Sequence, residues 1–171
     1  MLRRLTIHCE IKLTGFTRLS TLNISGRRPG GSELMALNID FPGTDGLFGM
    51  HRIKPIGYEG ATGDSTLDLV GFDAEIVDSD TLRFWLINQR PPVDEHRKIL
   101  SPKEMSKVGA NATIDVFELT RGEIEMRHVR TVADSSFSSP NNLAFLGNDS
   151  FVITNDHSRK GKYYPTIISY S

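Results

Sequence analysis

Apolar and polar residues alternate with a period of two along much of this chain. Ile124 and Met126 stand between Glu123, Glu125 and Arg127, and Ile114 and Val116 flank Asp115. Alternation of this kind predicts half-buried β-strands. The pattern, with β-branched and aromatic enrichment, gives strands over Glu33–Ile39, Leu67–Val77, Leu82–Asn88, Ala112–Leu119, Glu123–Val132, Leu143–Leu146, Phe151–Thr154 and Thr166–Tyr170. The run Phe84-Trp85-Leu86-Ile87 is apolar on both faces and reads as a buried strand. Asp78-Ser79-Asp80, Thr120-Arg121-Gly122 and Gly147-Asn148-Asp149 are turn signals between strands. One helix start stands out. Ser101-Pro102-Lys103-Glu104 is a capping box with proline at the first helical position, and Gly109 would end that helix inside a loop from Pro91 to Ala110. The chain is expected to be all-β.

A repeat runs through the pattern. Phe72 to Asn88 reads strand, Asp-Ser turn, strand, ending in Asn, and Leu143 to Asn155 reads the same way with an Asn-Asp-Ser turn. Another strand pair lies between them. Repeated antiparallel units of this kind suit the blades of a β-propeller, as they suit other antiparallel sheets.

The second repeat carries the most distinctive chemistry. Ser139-Pro140-Asn141-Asn142 precedes its first strand and Thr154-Asn155-Asp156-His157 ends its second. A hairpin brings its open ends together, so Asn141, Asn142, Asn155, Asp156 and His157 are expected near one another. Carboxamide and carboxylate oxygens gathered this way suit a hard cation such as calcium. A histidine beside them suits acid–base work near neutral pH. The same residue types also serve as ordinary turn formers, because they bond their own backbone and tolerate left-handed geometry.

Composition narrows the remaining classes. The formal net charge is −1 over 171 residues with acidic and basic residues mixed, which argues against nucleic-acid and anionic-membrane partners. No stretch is apolar for long enough to span a bilayer, and Thr6, His8, Glu10 and Lys12 interrupt the basic N-terminus before a signal-peptide core could form. Cys9 is the single cysteine, so no internal disulfide can form and the redox compartment stays unread. Sequons at Asn23, Asn111 and Asn148 matter only in a secretory compartment. His51 and His96 fall in polar, loop-like stretches, whereas His128 lies in an alternating strand.

Four segments occur together in one order: Leu69-Val70-Gly71-Phe72-Asp73-Ala74-Glu75, Phe84 to Pro92, Gly109 to Phe117, and Pro140-Asn141-Asn142 to Asn155-Asp156-His157. On these residues the chain resembles the paraoxonase/arylesterase family, especially its fungal members. Looser matches occur at His8-Cys9-Glu10-Ile11 and Asn23 to Arg27. The resemblance implies a six-bladed β-propeller with calcium in its tunnel, and hydrolysis of aryl esters and lactones in which the ion polarises a carbonyl. It places Asn141 and Glu10 as ligands of the catalytic calcium. Asn142 and the backbone carbonyl of Phe72 fall to a structural calcium, and Asp156 and His157 match an Asp-His pair bordering the site, the candidate catalytic residues. The chain covers about the earlier half of the family's length, and six blades need roughly 240 residues. The expectation is therefore a partial propeller over residues 29–171, preceded by a weakly matching segment at 1–28.

Several positions depart from the resembled pattern. Val70 and Gln89 stand where family members carry histidines, and neither side chain moves a proton at neutral pH. Ile11 stands where an Asp ligand is expected. Two readings follow. One is a partial calcium-dependent arylesterase/lactonase acting on a small ester or lactone. The other is a non-catalytic propeller segment or interaction module that self-associates through open sheet edges.

Overall fold

The computed structural model describes residues 6–8, 29–46, 48–156 and 166–170. In chain order the strands are β1 (Thr6–His8), β2 (Leu34–Pro42), β3 (Phe48–Ile56), β4 (Leu69–Ile76), β5 (Thr81–Arg90), β6 (Asn111–Thr120), β7 (Glu125–Val132), β8 (Pro140–Gly147), β9 (Ser150–Asn155) and β10 (Thr166–Tyr170). The helix α1 (Pro102–Val108) lies between β5 and β6. The fold is all-β, and its curled sheet accords with a partial propeller.

The centre of the fold is the antiparallel meander β4-β5-β6-β7. β3 adds to its outer edge in parallel through Lys54↔Glu125, Pro55↔Met126 and Ile56↔Arg127, and carries β2 and β1 with it. A second sheet has the order β10-β9-β8. Burial on both faces explains the apolar run in β5. Phe84 and Leu86 enter a first core with Leu34, Ile53, Leu69, Phe117 and Met126. Trp85 and Ile87 enter a second core with Ile114, Val116, Leu143, Phe151 and Ile153. Each such side chain, fully buried, contributes about 1.5–3 kcal/mol.

Alternation found eight of the ten described strands, to within three residues at each end, and missed β1 and β3. Residues 48–56 contain Gly49, His51 and Pro55, which read as loop. β3 tolerates Pro55 because it changes partners along its length. Residues 48 to 53 pair with β2, and residues 54 to 56 pair with β7. His51 therefore lies in a strand, opposite Ala36, whereas His96 is in an exposed loop. The helix forms as its capping box dictates. The Ser101 side chain accepts from the Glu104 backbone N–H, Glu104 reaches back to the Ser101 N–H, and Gly109 ends the helix at φ 74°.

The turn Gly147-Asn148-Asp149 closes the β8–β9 hairpin with Asn148 at φ 51° and Asp149 at φ 62°. Two successive left-handed residues match the primed turns of tight hairpins. Asp149 reaches across to the meander, to Arg83 at 3.5 Å and Arg130 at 3.3 Å. The Arg130 guanidinium lies 5.2 Å from the Trp85 ring centre, and Phe145 stacks on Trp85 at 5.2 Å. The two sheets are thus held by an apolar core with a charged rim.

Candidate functional site

Where β4 meets β8, each strand carries a register shift at the same level. In β4, Leu69 pairs with Asn88 and Gly71 with Ile87, which leaves Val70 as the extra residue. In β8, Pro140 pairs with Asn155 and Asn142 with Thr154, which leaves Asn141 extra. Bulges bend a strand and re-aim a side chain, and they concentrate beside active sites.

The two bulges touch. A Cβ on Gly71 would lie 2.5 Å from the Asn141 carbonyl oxygen. Glycine in a strand interior marks such a backbone approach. Two bonds hold the seam. The Phe145 N–H donates to Asp73 Oδ2 at 2.8 Å, and Gln89 Nε2 donates to the Pro140 carbonyl at 2.9 Å.

Asn141 is exposed, and its Nδ2 donates to Asp156 Oδ1 at 3.1 Å. This bond uses the amide end of Asn141 and one oxygen of the Asp156 carboxylate. Asn142 is the next residue along the strand. Its Oδ1 accepts from the Leu143 N–H at 3.0 Å, and its carbonyl accepts from the Thr154 hydroxyl at 3.4 Å. Phe72 follows Gly71 and packs its ring against the first core. Glu10 and His157 lie outside the described residues.

The oxygen-rich stretch before the hairpin proves to be strand. β8 begins at Pro140 rather than Leu143, because proline is tolerated at the first residue of a strand. Asn155 is buried, and both ends of its amide are engaged. Its Oδ1 accepts from the Ser139 N–H at 3.2 Å and its Nδ2 donates to the Ser136 carbonyl at 3.1 Å. Asn141 and Asp156 are therefore the two described oxygen-bearing side chains that the hairpin joins directly. Two donors are a partial shell for calcium, which takes about 6–8 oxygens. Among the described residues no group of three or more His, Cys, Asp or Glu converges on one point.

Sequence reasoning missed Gly71, Asp73 and Gln89 as the seam. A close approach between distant strands leaves no local pattern. The one available signal was the repeat that ends in Asn88 and Asn155.

A second polar group lies inside the first core. Asp115 is fully buried, and its Oδ2 accepts from Tyr58 Oη at 3.2 Å, Asn88 Nδ2 at 2.9 Å and Thr113 Oγ1 at 3.0 Å. Thr131 Oγ1 donates to the other carboxylate oxygen. His128 faces inward here, with Nε2 3.1 Å from Thr131 Oγ1 and its ring packed on Tyr58 and Phe117. Burial, reinforced by the Asp115 carboxylate, pushes the Tyr58 phenol well above the ordinary tyrosine range.

No protein-family model matches the chain. A curated protein, serum paraoxonase/arylesterase 1 of Rattus norvegicus, is 25% identical to it over 120 residues, which is 68% of this chain and 29% of that protein. The chain thus spans under a third of the relative's length. Over that stretch the chain is similar to an arylesterase.

Proposed function

We propose that this chain is part of a calcium-dependent ester- or lactone-hydrolysing propeller, with the ion held where the β4 and β8 bulges meet. The observation that carries the reading is the placement of Asn141. It is the extra residue of its bulge, exposed, and bonded to Asp156 at 3.1 Å. The low-identity likeness to a paraoxonase/arylesterase supports the same reading.

Asn141 and Asp156 would hold the ion. As the resemblance implies, Glu10 would add an oxygen to that ion, while Asn142 and the Phe72 carbonyl would serve a second, structural ion. Bound calcium supplies Lewis-acid polarisation of an ester carbonyl. His157, next in sequence to Asp156, would serve proton transfer, as the resemblance implies. The substrate class is a small ester or lactone.

A second reading is a non-catalytic segment, and one observation favours it. The Gln89 amide is committed to the Pro140 carbonyl, and Val70, in the strand beside it, is apolar. Both stand where the resembled family carries histidines. This reading includes self-association through exposed apolar positions such as Ile167 and Leu146, which are 75% and 63% exposed.

Thermal melting with calcium and then with chelator tests the first reading. Free calcium at about 100 times its dissociation constant adds roughly 2.7 kcal/mol to a folded binder. An upward shift in the wild type that disappears in Asn141→Ala is expected. An equal shift in both proteins, or none in the wild type, removes Asn141 from the role.

A further inference from the structure

The two hairpins share more than strand order. At the start of β4 the Asp68 N–H donates to Asn88 Oδ1 at 2.7 Å, and the Gln89 N–H donates to the Asp68 carbonyl at 2.8 Å. Before β8 the Ser139 N–H donates to Asn155 Oδ1 at 3.2 Å, and the Asp156 N–H donates to the Ser139 carbonyl at 2.9 Å. In each case the next residue pairs with the asparagine itself, Leu69 with Asn88 and Pro140 with Asn155. The residue after that is the bulge, Val70 in one strand and Asn141 in the other. Asn88 and Asn155 are both buried.

We infer that Asn88 and Asn155 are positioning residues, each a buried clamp that holds the bulge of its hairpin and so aims residues 70 and 141 at the shared seam. A bulge disrupts the ladder and leaves a backbone group to be satisfied another way. In both hairpins a side-chain carbonyl takes the N–H two residues before the bulge. An amide is needed because the other end must donate. Asn88 Nδ2 donates to Asp115 Oδ2 at 2.9 Å and Tyr58 Oη at 2.7 Å, and Asn155 Nδ2 donates to the Ser136 carbonyl at 3.1 Å. A carboxylate accepts but cannot donate, and an apolar side chain does neither. The buried Tyr58–Asp115 group thereby acquires a role: it fixes the clamp that fixes the β4 bulge. Val70 and Asn141 become equivalent positions in the two hairpins, which purely local sequence similarity does not reveal. The inference rests on the proposed calcium site for one of its two readouts only.

The test compares Asn155→Leu and Asn88→Leu with Leu82→Ala, a first-core change remote from both bulges. All three are made in the full chain and studied well below their melting temperatures. The first readout is NMR of the Asn141 side-chain amide, together with exchange of the Phe145 amide that bonds Asp73. The clamp variants are expected to shift the Asn141 signals and to speed Phe145 exchange about tenfold beyond the control at matched stability, the equivalent of one hydrogen bond lost. Equal changes in Leu82→Ala, or unmoved Asn141 signals in Asn155→Leu, overturn the inference. If Asn155→Leu does not fold, Asn155→Ser, which keeps an acceptor on a shorter arm, is judged by the same criteria. The second readout is calcium titration, in which Asn155→Leu is expected to bind about tenfold more weakly. If the wild type binds no calcium, the functional reading fails while the first readout still decides the clamp.

Discussion

Gly71→Ala is the sharpest probe of the seam between the two sheets. The added Cβ would sit 2.5 Å from the Asn141 carbonyl oxygen and 3.5 Å from Ile87 Cδ1. The second distance is ordinary contact. The first is not, because carbon and carbonyl oxygen approach to about 3.3 Å at closest. β8 must therefore retreat by roughly 0.8 Å, since the obstacle is backbone rather than a flexible side chain. The same retreat lengthens Phe145 N–H to Asp73, now 2.8 Å, and Gln89 Nε2 to the Pro140 carbonyl, now 2.9 Å. Both would reach about 3.6 Å or more, beyond a working hydrogen bond.

Overpacking costs about 1–3 kcal/mol, and each weakened bond costs about 1 kcal/mol. The usual gain of about 0.4–1 kcal/mol when alanine replaces glycine offsets only part of this. The net expectation is a loss of about 2–4 kcal/mol, or roughly 4–16 °C in melting temperature for a chain of this size. Trp85, the single tryptophan, is stacked on Phe145 at this junction and reports unfolding by fluorescence. A urea titration that places Gly71→Ala within about 0.5 kcal/mol of the wild type would refute the close approach, and with it the placement of Asn141.

Two further expectations follow from other parts of the fold. Tyr58 is held neutral in the folded state, so the native protein binds more protons than the unfolded chain once pH exceeds the ordinary phenol range near about 10. Stability contributed by Tyr58 is therefore present below that range and falls as pH rises through it. Alkaline difference spectra should show one of the four tyrosines ionising only with unfolding, and that step should vanish in Tyr58→Phe; free titration of all four would contradict the buried assignment. Asp149→Ala removes two partly exposed ion pairs and places alanine at φ 62°, whereas Asp149→Gly removes the same pairs at a conformation glycine adopts freely. Alanine is expected to lose about 1 kcal/mol more than glycine, and the glycine variant less than about 1 kcal/mol in total. Equal losses in chemical denaturation would show that the ion pairs, not the turn, carry the effect.

Local pattern was enough for much of this protein. Alternation marked most strands, because a half-buried strand must sort its side chains by face. Ser101, Pro102 and Glu104 wrote the helix start, because capping is a contact among near neighbours. The Asn148-Asp149 turn was legible for the same reason. What the sequence did not contain was anything set by a distant strand. β3 was invisible because Pro55 is tolerated only through its change of partner from β2 to β7. The bulges at Val70 and Asn141 were invisible because a one-residue slip is defined by the strand opposite, and here by the buried amides of Asn88 and Asn155. Asp115 sat in a strand that read as ordinary alternation and Asn88 at the end of one that read as an apolar run, yet their polar atoms meet in the first core. Sequence thus named the residue types of the candidate site, while tertiary structure decided which of them meet: Asn141 with Asp156, Asn155 turned inward, and Gly71 making the space between the sheets.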